Sequence, residues 1–222
     1  PNNLNTEFTQ NFLRSLRSGP PTYPTAMNYI NQDKNIEDFV RQLFDRSPAH
    51  QYPYHNLNHT VEVVGHVQDI AGYYAGKGAD PFIVTTAAWF HDIGHLSGPM
   101  EGHEERGVLI MEDYLHQLRI PEQAILSVAG CIRATKYPSY PITLNEEILC
   151  DADTFHFGTE YFRETDEAVR REIEIRTGVK PLNWHKKSMY LLQQHRYFTE
   201  YCRQLVGKGK QHNIEWLARQ IT

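Results

Sequence analysis

Apolar residues along this chain recur at helical spacing. Val61, Val63, Val67, Ile70 and Tyr74 form one such series, Val108, Met111, Leu115 and Leu118 a second, and Met189, Leu192, Tyr197 and Tyr201 a third. Strand-type alternation is confined to a short stretch at Tyr140–Leu144. Breakers fall between segments of helical length: Pro20–Pro21 with Pro24 after an N-terminal helix, then Gly76–Gly78 with Pro81, Gly98–Pro99, and Pro138–Pro141. There is no internal repeat and no low-complexity tract. The pattern predicts an all-α bundle of about eight to ten helices in a single domain over residues 1–222.

Composition narrows the class. Of 222 residues, 40% are hydrophobic and 22% charged, with a net charge of −5, which excludes intrinsic disorder. No apolar run approaches the roughly 20 residues of a membrane span, so no membrane partner is expected. Pro1 to Thr9 show no basic region followed by an apolar stretch. Cys131, Cys150 and Cys202 are too few and too scattered for a disulfide framework or a thiolate zinc site. A soluble, reduced, cytoplasmic protein is expected. Residues 1–150 hold ten basic against seventeen acidic side chains, a net of −7, whereas residues 151–222 come to +2. The acidic part would repel a polyanion, so no nucleic-acid polymer is expected as a partner.

Seven of the twelve histidines lie between His50 and His103, and this locates the chemistry. Phe82–Phe90 is apolar on every side apart from Thr85 and Thr86, so the helix should be buried. Yet it runs into an adjacent His91-Asp92 pair with no Lys or Arg nearby in sequence. A buried, unpaired carboxylate is costly, and a bound cation resolves the conflict. Imidazole and carboxylate together suit a divalent first-row metal. In Tyr54-His55-Asn56-Leu57-Asn58-His59-Thr60, Asn58 can cap a helix beginning at His59. His59 then shares a face with Val63, Val67, Ile70 and Tyr74, so a second imidazole needs a buried partner. Cys150-Asp151-Ala152-Asp153-Thr154 supplies two more carboxylates. On a helix they diverge by about 200°, and each sits about 100° from the stripe of Ile148, Leu149, Ala152 and Phe155, so the wheel does not choose between them.

Together these pieces resemble the HD superfamily of metal-dependent phosphohydrolases: a lone His59, the adjacent His91-Asp92, and a distant aspartate. The resemblance runs from about Tyr54 to Gly158, the expected metal-binding core (54–158), ahead of C-terminal helices over 159–222. Tyr197–Cys202 and Lys210–Leu217 resemble, more weakly, the C-terminal helices of an uncharacterised bacterial branch. The resemblance implies an HD-type helical bundle with His59, His91, Asp92 and an aspartate as metal ligands. It favours Asp153, with Asp151 as the alternative. The segment Tyr54–His59 is also similar to the Tyr-His-Asn-x-x-His of class I cyclic nucleotide phosphodiesterases, and His91–His95 to their His-Asp-x-x-His. That similarity implies His55 as general acid and His95 as a group behind the ligands or on the phosphate. In Gly102-His103-Glu104-Glu105-Arg106-Gly107, His103 stands where many HD proteins place a further ligand, with Glu104 as base or water-holder. Ile132-Arg133-Ala134-Thr135-Lys136 departs from the pattern, because Thr135 replaces a second-site histidine. This counts against a second metal and against the oxygenases that share the fold. Lys136 can instead steady a phosphate.

The implied function is hydrolysis of a phosphoester, of a nucleotide or related small phosphate ester, by a water that a divalent ion (Mn, Fe, Ni, Zn or Mg) activates. Asp92 is part of that catalytic group, His95, His103 and Lys136 offset phosphate charge, and His55 protonates the leaving oxygen. A non-catalytic HD module that binds or senses a nucleotide is the rival reading.

Overall fold

A computed structural model describes residues 29–47 and 52–221. The N-terminal helix expected before Pro20 lies outside them. The described residues form ten α-helices and no strand: α1 (Tyr29–Arg46), α2 (Leu57–Tyr73), α3 (Pro81–Phe90), α4 (His103–Gln117), α5 (Glu122–Ala134), α6 (Leu144–Asp153), α7 (Phe162–Thr177), α8 (Trp184–Gln194), α9 (Glu200–Leu205) and α10 (Gly207–Arg219). Short 3₁₀ turns follow α3, at Ile93–Ser97, and α6, at Phe155–Gly158. This is the all-α bundle of about eight to ten helices that the apolar spacing predicts. No helix among the described residues is long and apolar enough to cross a membrane.

α3 is the central helix. It buries Ile83, Val84, Thr86, Ala87, Ala88, Trp89 and Phe90, and α1, α2, α4, α5 and α6 pack around it. Asp80 caps it by accepting from the backbone N–H groups of Phe82 and Ile83, and Pro81 starts it where no donor is lost. Its buried faces leave its C-terminal end, at His91-Asp92, as the place where polar groups enter the core.

α2 lies against α3 and buries Val63, Val64, Val67, Ile70 and Ala71 together with His59. Its cap is Asn56, not Asn58. Asn56 Oδ1 accepts from the N–H groups of Asn58 (2.9 Å) and His59 (3.2 Å), so the helix begins two residues earlier than expected. The Tyr140–Leu144 stretch forms no strand: Tyr140 and Ile142 are 77% and 88% exposed, and Leu144 opens α6. A separate apolar cluster of Phe157, Phe162, Leu192 and Leu217 lies beneath α7, α8 and α10. Gly209 lets α10 approach the 3₁₀ turn after α6, because a Cβ there would sit 1.9 Å from the Gly158 carbonyl oxygen.

Candidate metal centre and active-site cleft

Three helix ends converge on one buried point. α2 brings His59 in its first turn, α3 delivers His91 and Asp92 at its C-terminus, and α6 ends on Asp153. His59 Nε2 and His91 Nε2 lie 3.4 Å apart. Asp92 Oδ2 is 3.3 Å from the first and 3.2 Å from the second. Asp153 Oδ1 is 3.3 Å and 3.5 Å from the same two nitrogens. Such separations are those of neighbouring ligand atoms on one ion with bonds of about 2.0–2.2 Å.

The donor set fits a divalent cation on chemical grounds. His91 Nδ1 donates to the Ala88 carbonyl (2.8 Å), which leaves the Nε2 lone pair of the neutral ring facing the cluster. Two carboxylates lie within the same space, and histidine supplies every ion pair they make among the described residues. Without a cation, protons must hold the cluster together. Burial opposes a charged His59 ring, but Asp153 and Asp92 outweigh it and raise its pKa to about 9. His91 is likewise held well above the imidazole range, despite its burial, by the same two carboxylates. Asp92, against the cost of its burial, is held well below the carboxylate range by His91 and His55.

Asp151, the alternative ligand, points elsewhere. Its Oδ1 accepts from Phe198 N–H (2.8 Å), and its Oδ2 accepts from the N–H (2.7 Å) and hydroxyl (2.6 Å) of Thr199. Thr199 in turn caps α9. Asp151 thus ties α6 to the start of α9, and burial raises its pKa to about 6.

A stack of three imidazoles lies behind Asp92. The His55 and His95 rings are 4.0 Å apart and those of His95 and His103 3.9 Å. Asp92 Oδ1 is 3.6 Å from His103 Nε2 and 3.8 Å from His95 Nε2. Gly94 makes this packing possible, since a Cβ there would lie 1.9 Å from the His103 carbonyl oxygen. His95, expected either behind the ligands or on the phosphate, is buried and is not among the residues that line the cleft. Burial, with His55 beside it, drives its basicity far below the ordinary imidazole range.

The cleft over the cluster has two connected parts. One, of about 530 Å³, is lined by His55, Asp92, His103, Glu104, Asp153 and Lys187, among others. It shares Thr135, Tyr137, Asp153 and Thr154 with an arm of about 600 Å³ that reaches Tyr140, Tyr190, Arg196 and Phe198. The fold therefore brings His55, His103 and Glu104 to the cleft. Lys136 is exposed and lines neither part, because the chain turns outward after α5; the cleft's lysine is Lys187 on α8.

Two further residues escaped the sequence reading, both on α7. Glu172 is fully buried, and four groups meet its carboxylate. Oε1 accepts from His55 Nδ1 (2.7 Å) and Arg176 Nη1 (3.1 Å); Oε2 accepts from the backbone N–H groups of Tyr54 (3.0 Å) and His55 (2.9 Å). Burial opposes its charge, but His55 overrides this and holds its pKa down to about 2. Arg176 also donates to His95 Nδ1 (2.8 Å) and to the Gly98 carbonyl (2.9 Å). A signal was available: Phe162, Val169, Glu172 and Arg176 fall on one stripe at helical spacing.

Residues 56–158 match the family model of the HD domain. This part of the chain is an HD domain. It contains His59, His91, Asp92 and Asp153, whereas Glu172 and Arg176 lie beyond it. Solved structures share the fold over nearly the whole chain. A predicted HD superfamily hydrolase from an uncultured Thermotogales bacterium is 19% identical, with a TM-score of 0.58 over 88% of this chain and 98% of its own. Bacillus subtilis YpgQ, solved in complex with ADP, is 17% identical, with a TM-score of 0.60 over 87% and 95%. A Lactobacillus plantarum protein is 14% identical, with a TM-score of 0.62 over 87% and 96%. No curated protein sequence matches the chain significantly. HD domains bind divalent metals, and the His/Asp groups of this one can hold such an ion.

Proposed function

We propose that this protein is a metal-dependent phosphohydrolase acting on a nucleotide or related small phosphate ester. The observation that carries the reading is the convergence of His59, His91, Asp92 and Asp153 on one point at the wall of a cleft that also holds His55. A divalent ion bound there would draw in a phosphoryl oxygen and lower the pKa of a water towards neutrality.

The chain's own groups account for the proton movements. His103 Nδ1 donates to the Met100 carbonyl (2.8 Å), so its Nε2 lone pair faces Asp92 and Glu104 at the cleft. It or Glu104 accepts a proton from the attacking water as the new P–O bond forms. His55, oriented through Nδ1 by Glu172, delivers a proton from Nε2 to the ester oxygen as the old P–O bond breaks. Lys187 lines the same space and offsets phosphate charge. The arm with Tyr137, Tyr190 and Phe198 offers aromatic faces to a planar leaving group. ADP in the structure of YpgQ is consistent with a nucleotide.

The test is a panel of nucleotides, cyclic nucleotides and sugar phosphates offered to chelated and to metal-replete protein. Hydrolysis of at least one ester, abolished by chelator and restored by metal, is expected. A blank panel accompanied by tight nucleotide binding would favour a sensing module.

A further inference from the structure

Asp92, His95 and His103 form a second group of metal-type ligands beside the first. We infer that Arg176 fixes His95 as an Nε2–H donor aimed at Asp92, so that this second group braces the centre and holds no cation of its own. The inference rests on reading His59, His91, Asp92 and Asp153 as a cation centre.

The argument is one of proton accounting. Arg176 Nη1 lies 2.8 Å from His95 Nδ1. A guanidinium has only donors and keeps its charge in proteins. His95 Nδ1 must therefore accept, and the single proton of the neutral ring sits on Nε2. Turning the ring over would put a carbon at that 2.8 Å, inside the roughly 3.5–4.0 Å of comfortable heavy-atom contact. Arg176 is itself held fast: Glu172 Oε1 and the Gly98 carbonyl accept from it, and its guanidinium lies 4.6 Å from the centre of the Tyr52 ring. The His55 and His103 rings pack on either side of His95.

A metal ligand needs a lone pair, and His95 Nε2 has none to offer in this tautomer. His91 and His103 differ, because each donates Nδ1–H to a carbonyl and turns an Nε2 lone pair towards Asp92. His95 Nε2 is buried with no hydrogen-bond partner, and Asp92 Oδ1 stands 3.8 Å away. The N–H thus faces one oxygen of Asp92 and leaves Oδ2 for His59 and His91. Without His95, His103 Nε2 keeps Asp92 Oδ1 at 3.6 Å and Glu104 Oε1 at 3.8 Å, and among the described residues those three groups do not close on one point that could hold a second ion. His95 is a positioning residue that acts through Asp92.

Long-range ¹H–¹⁵N spectra of the histidine side chains test this on the full chain, metal-free and during titration with Zn²⁺. His95 is expected to show a protonated Nε2 and an unprotonated Nδ1 throughout, with binding that saturates at one equivalent. His95→Gln, which restores an N–H near the Nε2 position, should keep that equivalent with affinity within about threefold, whereas His95→Ala should weaken it by about tenfold. A proton on Nδ1, or saturation at two equivalents that falls to one in His95→Gln, would overturn the inference. Failure of the cation-centre reading looks different: no Zn²⁺ binds at all, while the metal-free spectrum still reports the tautomer.

Discussion

His55 Nδ1 and Glu172 Oε1 meet at 2.7 Å although 117 residues separate them. The other oxygen of Glu172 accepts the backbone N–H of His55, so one buried carboxylate sets both the ring and the main chain. This fixes the orientation of the ring at the cleft that His55 lines, as the proposed general acid requires. Glu172→Gln should lower kcat/KM for an alkyl phosphate ester by about tenfold to a hundredfold, within the range expected for general acid catalysis. Bound metal, measured by elemental analysis, should not change.

The leaving group reports directly on His55. A nitrophenolate departs without a proton, whereas a ribose or sugar alkoxide needs one. His55→Ala should cost about 10²–10⁴ in rate with an alkyl ester and far less with a nitrophenyl ester. Both rates and the metal content should be read on one preparation. Equal losses on the two esters would assign His55 to substrate positioning, and loss of metal would make it a ligand.

The two aspartates of α6 should separate cleanly. Asp153→Ala should abolish metal binding and leave the thermal melt of the metal-free protein cooperative. Asp151→Ala leaves the N–H groups of Phe198 and Thr199 and the Thr199 hydroxyl without their acceptor. It should cost on the order of 1–3 kcal/mol of stability while retaining metal. Elemental analysis and melting curves of both variants check this, and the reverse pattern would exchange their roles.

Protons and the cation compete for the same histidines, which fixes a pH dependence. In the metal-free protein the pKa of His59 rises from 6.5 to about 9: burial opposes the charged ring, and Asp153 and Asp92 outweigh it. A raised pKa contributes stability that is fully present below 6.5 and is lost as pH climbs through about 9. The metal-free melting temperature should therefore fall across that window while the metal-loaded one stays flatter. Metal affinity should rise across the same window, by about tenfold per pH unit for each proton displaced. Identical pH profiles with and without metal would contradict the competition.

Much of this architecture was legible in the sequence because helices advertise themselves by apolar spacing. The Phe82–Phe90 run marked a buried helix ending on polar groups, and His91 and Asp92 do sit at the end of the central α3. Local arithmetic stopped at Asp151 and Asp153, since both lie equally far from the buried stripe. The distinction comes from α9, whose first residues arrive from far along the chain to occupy Asp151. Glu172 and Arg176 were missed for a related reason: they share a stripe with Phe162 and Val169 on α7, but the stripe does not say which groups they meet. Their burial depends on His55 and His95, which no local pattern connects to them. Lys136 and Lys187 exchanged places because only the tertiary fold decides which lysine faces the cleft.

The central claim is that one cation, held by His59, His91, Asp92 and Asp153, is required for phosphoester cleavage. It is tested most directly by adding a divalent metal stepwise to chelated protein and following bound metal and ester hydrolysis in the same samples. Hydrolysis should rise in proportion to bound metal and level off at one equivalent, and Asp92→Ala should show neither. Hydrolysis that survives complete chelation, or a fully loaded centre that cleaves no ester, would contradict the account.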